Sequence, residues 1–402
     1  MLAPSPSRPS PAELPLPAAE AQAHSARVSE AVRAALAESG GWLDFSDYME
    51  LALYAPGLGY YAAGARKFGA AGDFVTAPEL SELFGRSLAR QCAEVLASLT
   101  EGEILEFGAG SGALAAGLLT ELDHLGQPPR RYLILEVSPE LRQRQWQTLQ
   151  SKAPAWLPRV EWLTAMPAHP VNGVMLANEV LDALPVQRFQ YDAEVTQALG
   201  VGLDEQGALT WVARPADVAL AAQVEAIRAG LREPWPLPYR SEWCPRLPAW
   251  IATIAAGLAC GLVLLIDYGF PRHEYYHPSQ ADGTLRCHYR HRVHQDPFFW
   301  PGLQDMTASV DFTAVAEAAI ANDLVVAGYT TQAQFLIGAG IDEVLAAARA
   351  AASNDKDWYA LSQQAQQLML PGDMGERFQV MGLTRQYEGP LRGFITDQCH
   401  RL

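Results

Sequence analysis

An apolar strand that runs straight into three alternating glycines, Ile104-Leu-Glu-Phe-Gly-Ala-Gly-Ser-Gly-Ala113, restricts what this chain can fold into more than any other segment. Glycine has no Cβ, so such a turn can take φ > 0 and let a ligand lie against bare backbone, and the free N–H groups of the following helix face that ligand. The segment predicts a βα turn that binds a nucleoside cofactor. A second apolar strand, Arg131-Tyr-Leu-Ile-Leu-Glu-Val137, completes the unit with Glu136 near its C-terminal end. A carboxylate there accepts both hydroxyls of a ribose, in NAD and in S-adenosylmethionine alike. The turn also fits the dinucleotide fingerprint with alanine in its last place. Glu106, two residues before Gly108 and so on the same strand face, repels a pyrophosphate but suits a ligand carrying an ammonium and a sulfonium. These residues favour S-adenosylmethionine and leave NAD open; Glu106 can also be a local cap or pair.

The same alternation continues along the chain. Strands are predicted at 104–107, 132–137, 160–163 and 171–177, with helices at 111–125 and 139–150, which implies an α/β fold with a parallel sheet covered on both faces. After Pro185 short alternating runs, Val186–Tyr191, Val195–Leu203 and Leu209–Ala213, read as an antiparallel insertion. Further on, a helix is predicted at 312–321, a strand at 324–327, an Ala/Gln-rich helical insertion at 333–368, and a last strand at 378–383 on the sheet edge. The expected organisation is a Pro/Ala-rich disordered tail over 1–24, with six prolines in its first 17 residues, a helical and Gly-rich region over 25–100 with a helix near 28–38, and the main domain over 101–402. Insertions in that domain fall at about 186–245 and 330–372.

Composition removes several function classes. A net charge of −16 argues against a large nucleic-acid footprint, which needs clustered Lys and Arg. Five cysteines far apart, with no Cys-x-x-Cys pair, argue against a zinc site or a disulfide framework and for a reducing compartment, here read as the cytoplasm. No signal peptide is recognised at the N-terminus. Ala249–Ile266 is eighteen residues without a charge, but Gly257 and Gly261 divide it, and an apolar helix followed by a buried strand explains it better than a membrane span.

Open α/β sheets bind ligands beyond the C-terminal ends of their strands, where strand order reverses. The segment Asn178-Glu-Val-Leu-Asp-Ala-Leu-Pro185 then lies across from the glycine turn, and puts two carboxylates, Glu179 and Asp182, beside an amide. Asn178 and Asp182 can also cap a helix or turn. His288, His291 and His294, interleaved with Arg286, Arg290 and Arg292, form a basic loop that reads as a substrate wall or partner-facing surface, with Asp305 and Asp311 as charge partners. No metal is expected there.

Taken in order, Phe68-Gly-Ala-Ala-Gly-Asp-Phe-Val-Thr-Ala-Pro-Glu-Leu80, the Glu106–Gly112 turn, Glu136-Val-Ser-Pro-Glu140, Asn178–Pro185, Ile266-Asp-Tyr-Gly269, Gly283-Thr-Leu-Arg286, Gln304-Asp-Met-Thr307 and Asp311-Phe312 resemble the MidA family of S-adenosylmethionine-dependent methyltransferases. The resemblance covers residues 45–383 and is weakest in the hairpin strand from Glu194 to Gly200. It implies a class I, Rossmann-like methyltransferase sheet with a helical N-terminal region and β-hairpin and helical insertions. For the mitochondrial members it implies symmetric dimethylation of an arginine in a respiratory complex I subunit during assembly. Carried over by motif, Gly108, Ala109, Gly110 and Gly112 hold the methionine part with Glu106, and Glu136, Val137 and Ser138 meet the ribose side. Asn178 and Glu179 close the site, while Thr76, Pro78, Glu79 and Arg286 line the substrate wall.

A guanidinium is protonated at neutral pH, so its nitrogen is a poor nucleophile until charge is localised elsewhere. Glu179 and Asp182 are expected to grip two guanidinium nitrogens and aim the third at the methyl group, with Asp267 assisting. The expected partner is a protein client with a target arginine; a homodimer is left open. Competing readings are a methyltransferase of another substrate class, an NAD-dependent oxidoreductase, and a non-catalytic assembly factor that binds S-adenosylmethionine.

Overall fold

The computed structural model describes residues 14–62, 76–193, 195–352 and 354–402. The motif residues 68–75 and Glu194 lie outside them. The main sheet has eight strands: a two-residue strand, Val310–Asp311, pairs beside Gly269 and Phe270, and the other seven are β1 (Glu103–Phe107), β2 (Tyr132–Leu135), β3 (Val160–Leu163), β4 (Val171–Asn178), β5 (Leu258–Phe270), β6 (Val325–Thr331) and β7 (Phe378–Arg385). The order of these seven is β6-β7-β5-β4-β1-β2-β3. The strands β1 to β5 pair in parallel, and β7 runs antiparallel to both β5 and β6. This is the α/β sheet expected from the alternation, in the Rossmann-like form that the resemblance implies.

β7 departs from the expectation of an edge strand. It pairs with β5 from Phe378 opposite Tyr268 to Arg385 opposite Gly261, and β6 takes the edge instead. The reason is burial: every residue from Phe378 to Thr384 is buried, a continuous run that needs cover on both faces, whereas β6 begins with an exposed Val325. The eighteen uncharged residues divide as predicted, into a helix, Leu247–Gly257, and the first part of β5. Among the described residues no helix is long and apolar enough to cross a membrane.

The chain forms two units, and neither is contiguous. One comprises the described residues of Met1–Phe74, Ala183–Arg246 and Arg272–Ser309; the other, those of Val75–Asp182, Leu247–Pro271 and Val310–Leu402. The expected division at residue 100 differs from this, because helices Ala77–Leu80 and Glu82–Ala97 belong with the main sheet. Leu88 and Leu96 of the longer helix share a buried core with Leu118 and Leu122 of the crossover helix and with Ile104 and Val174 of the sheet. The predicted single helical insertion is three helices, Gln332–Gly338, Ile341–Ala351 and Asp355–Met369.

The other unit holds an antiparallel sheet of four strands, Gln187–Asp192, Val195–Leu203, Leu209–Pro215 and Tyr239–Trp243, and a three-stranded sheet built on Arg286–Tyr289. Its first helix runs Ala19–Glu38, nine residues ahead of the predicted start, so 19–24 are not tail. Ser25, Val28, Val32 and Leu36 are its buried stripe, and the Ala-rich turns before them extend the helix by propensity.

Candidate active site

The registers fix which side chains share a face. Ile104 lies opposite Tyr132 and Val174, and Asn178 lies opposite Ile266. With a two-residue period, Glu106, Tyr132, Leu176, Asn178 and Ile266 project from one face of the sheet, and Phe107, Ala177 and Asp267 from the other. Beyond β1 the three glycines take φ of 60, 52 and 84° at Gly108, Gly110 and Gly112. A Cβ on Gly110 would meet nothing within 4 Å, so this position is open to a ligand; one on Gly112 would come within 3.0 Å of the Gln145 backbone. The turn is closed by the Gly112 N–H donating to Ala109 O at 2.7 Å, and Gly112 then begins the helix Ala113–His124.

Glu106 is buried and accepts the Tyr132 hydroxyl at 2.6 Å. Burial pushes its carboxyl up to about 7; the Tyr132 hydrogen bond opposes this and Glu136 adds to it. Glu136, just past β2, accepts the Ser138 N–H at 2.9 Å and the Gln145 Nε2 at 3.0 Å. Ser138, expected among the cofactor contacts, caps the helix Pro139–Lys152, its hydroxyl accepting from the Leu141 N–H. Val137 between them is 65% exposed, an apolar face left open beside the Glu136 carboxylate.

β4 ends at Asn178, and Glu179 turns the chain with φ of 53°, left-handed for a residue with a Cβ. Its N–H is caught by Ile266 O at 2.9 Å. The next three N–H groups, of Val180, Leu181 and Asp182, converge on Asp267 Oδ2 at 3.1, 2.8 and 3.2 Å, and the Tyr268 N–H reaches Oδ1 at 2.9 Å. Burial pushes the Asp267 carboxyl up to about 7 against these four donors. Asp267 is the residue expected to assist at the guanidinium. Its carboxylate is occupied by four backbone donors on the face opposite Asn178, and it organises the turn that carries Glu179 and Asp182.

Tyr268, on the Asn178 face, is the residue the motifs did not single out here. Burial pushes its hydroxyl well above the ordinary tyrosine range, and Glu179, Asp182 and Asp267 push it further, against Arg377. A neutral phenol thus lies among the carboxylates, its ring against Phe378 with centroids 3.9 Å apart.

Upstream of the sheet, Thr76 precedes the short helix Ala77–Leu80, Pro78 sits in its first turn, and Glu79 accepts the Ser111 hydroxyl of the glycine turn. Arg286 belongs to the other unit, where it lies near the buried Glu242 and, with Arg188, lowers that carboxyl. The basic loop is a hairpin, with Arg290 and His291 at φ of 48 and 60° joining Arg286–Tyr289 to Arg292–His294. Burial pushes His288 down to about 4. Among the described residues no group of His, Cys, Asp and Glu could hold a metal ion. Asp311, read as a charge partner of this loop, is the N-cap of helix Phe312–Ile320 in the sheet unit.

Comparison with known proteins decides the family. A family model for S-adenosyl-L-methionine-dependent methyltransferases matches residues 87–330. The chain belongs to the S-adenosyl-L-methionine-dependent methyltransferases. The mitochondrial protein arginine methyltransferase NDUFAF7 of Danio rerio is 30% identical over 372 residues, which is 84% of this chain and 82% of that protein. The Homo sapiens protein of the same name is 28% identical, over 86% of this chain and 81% of its own length. A solved structure from Burkholderia thailandensis bound to S-adenosyl-homocysteine superposes with a TM-score of 0.90 at 44% identity, covering 97% of this chain and all of that one. The resemblance carried by the ordered motifs is the family that these matches give.

The methyltransferase residues fit S-adenosylmethionine. Asn178 Oδ1 is buried with no hydrogen-bond partner, an acceptor suited to an ammonium or amide donor. Gly110 is open, and Glu136 is braced by the Ser138 N–H and Gln145. An anionic, acceptor-rich rim of this kind suits a cationic nucleoside and repels a pyrophosphate. Sequence reasoning missed Gln145, Trp162 and Tyr268. Tyr132 was within reach of it, because in-register parallel pairing puts Tyr132, Ile134 and Glu136 on the face of Glu106.

Proposed function

We propose that this methyltransferase acts on an arginine side chain of a protein client, with Glu179 and Asp182 as the groups that hold the guanidinium. The observation that carries this reading is the turn after β4, where Asp267 gathers three successive N–H groups and so fixes two carboxylates, three residues apart, beside the neutral hydroxyl of Tyr268. S-adenosylmethionine, when bound, supplies an activated methyl group on a sulfonium. Glu106 and the Gly108–Gly112 turn hold its methionine end, Glu136 its ribose, and Asn178 the polar group nearest β4.

Two carboxylates engage two guanidinium nitrogens in a charge-assisted fork and draw the positive charge toward themselves, which leaves the third nitrogen as the nucleophile. The proton of that nitrogen departs late, and a carboxylate of the pair is the acceptor within reach. Positioning supplies most of the rate, since the donor is already activated. Thr76, Pro78 and Glu79 form the wall on the glycine-turn side. The names of the curated relatives support the arginine assignment, and the motif resemblance extends it to a complex I-type subunit as client. Five free cysteines support a reducing compartment, which we take to be the cytoplasm although these relatives are mitochondrial. A homodimer is part of the proposal and would double the mass of 43.7 kDa in light scattering.

The test is Glu179→Gln. S-adenosylhomocysteine binding by calorimetry should stay near the parent value while methyl transfer to arginine in client proteins, read by mass spectrometry, disappears. Retained transfer sinks the assignment; arginine methylation in cells unchanged by deletion of the whole chain favours a cofactor-binding assembly factor instead.

A further inference from the structure

We infer that Gln145 is a positioning residue that gives this methyltransferase its selectivity for the ribose of the cofactor, by fastening Glu136 to the glycine turn; the inference rests on Glu136 as the ribose acceptor. Gln145 is wholly buried in the helix Pro139–Lys152. Its Nε2 donates to Gly110 O at 3.1 Å and to Glu136 Oε2 at 3.0 Å, and its Oε1 accepts the Trp162 Nε1–H at 2.9 Å. Both amide hydrogens are used on acceptors and the carbonyl on a donor, so the amide has one orientation; flipped, its oxygen would face two acceptors.

The backbone brings a second, independent constraint. A Cβ on Gly112 would stand 3.0 Å from Gln145 Cα, so the glycine turn and this helix approach as closely as the missing side chain allows. One side chain therefore joins the turn after β1, the carboxylate after β2, and Trp162 of β3. Glu136 has two oxygens. Oε1 takes the Ser138 N–H, and Oε2 takes Gln145, so each oxygen of the carboxylate is held by a donor of its own. A ribose diol needs such a fixed pair of acceptors, because its two hydroxyls are rigidly spaced and a rotating carboxylate meets only one at a time.

The experiment measures S-adenosylhomocysteine and its 2′-deoxyribose analogue by calorimetry on the full chain, in the parent, Gln145→Met, Trp162→Phe and Glu136→Gln. Methionine keeps the length and apolar volume of the side chain and removes all three hydrogen bonds. The parent should prefer the ribose form by roughly 10- to 100-fold, the range of one hydrogen bond to a charged group. Gln145→Met should bring the two affinities close together by weakening the ribose form alone, and Trp162→Phe should do so in part. Equal weakening of both ligands in Gln145→Met, with the ratio kept, is a packing effect and overturns the inference. Should Gln145→Met not fold, an unchanged ratio in Trp162→Phe overturns it. Glu136→Gln separates the two levels: a ratio that survives this change removes the ribose role of Glu136 and the inference with it. A ratio that collapses there but survives Gln145→Met removes only Gln145.

Discussion

Asp267 on β5 and Leu181 in the turn after β4 meet at 2.8 Å, a buried carboxylate oxygen receiving a backbone N–H from a residue 86 positions away in sequence. The same oxygen receives the N–H groups on either side of it, of Val180 and Asp182. Asp267→Asn turns one acceptor oxygen into an NH₂ group that must face backbone donors. We expect a loss of about 2 kcal/mol or more in urea unfolding, and methyl transfer lost to a greater degree than S-adenosylhomocysteine affinity. A variant with parent-like transfer would show that the turn holds its shape without this carboxylate.

Stability should fall as pH rises from about 4.5 to 7, since the Glu106 carboxyl is raised from 4.5 to about 7 on folding, chiefly by burial. In that window the native state keeps a proton that the unfolded state has released, so the contribution is full below the lower value and lost above the upper one. Asp267, raised from 3.8 to about 7, acts with the same sign. The Glu106 share is at most about 3 kcal/mol. Glu106→Gln should flatten the pH dependence of the denaturation midpoint across this window without abolishing it, and a slope equal to the parent's would refute the assignment.

The parts of the site that follow from local sequence were legible in it. Three glycines after an apolar strand give a positive-φ turn whatever else the chain does, and Glu136 follows from the spacing of the next strand. The uncharged run ending at Ile266 was resolved by its own glycines into helix and strand. What stayed hidden depends on distant partners. Gln145 is an ordinary polar residue in a helix until Gly110, Glu136 and Trp162 are brought around it. Asp267 looked like a strand-end acid, and only the path of residues 180–182 shows that its oxygens are taken. β7 reads as an apolar run in sequence, which sets burial but not which neighbours it has. The interleaved units are invisible to composition, because 272–309 joins residues far upstream through a shared core, in which Leu285, Cys287 and Met306 are buried with Val32, Phe45 and Tyr48.

Gly110 and Gly112 should separate stability from binding. Both take positive φ, worth about 1 kcal/mol against alanine. Gly112→Ala adds a Cβ 3.0 Å from backbone that cannot swing away, so it should cost about 2 kcal/mol or more in unfolding. Gly110→Ala meets nothing within 4 Å and should unfold within about 1 kcal/mol of the parent. Its methyl nevertheless occupies the open face of the turn, so it should lose S-adenosylhomocysteine affinity in calorimetry. Loss of binding without loss of stability at Gly110 supports this reading; parent-like affinity would place the cofactor elsewhere.

In the other unit Arg188 stands 3.3 Å from Glu242, whose side chain is wholly buried. Burial pushes the Glu242 carboxyl up, and Arg188 is the first of the groups that pull it down, ahead of the Thr284 N–H at 2.7 Å and of Arg286. Gly283 follows from this, since a Cβ there would lie 2.3 Å from a carboxylate oxygen. Arg188→Met leaves a buried charge without its main partner and should cost about 3 kcal/mol near neutral pH. The deficit should shrink as pH falls, because protonating Glu242 removes the charge that needs Arg188. Arg188→Met with Glu242→Gln should be more stable than the sum of the two single losses, by a coupling measurable in a double-variant cycle of urea midpoints. A deficit independent of pH, with additive single effects, would mean that Arg188 matters for its packing over Trp211, 4.9 Å from the ring centroid, and not for its charge.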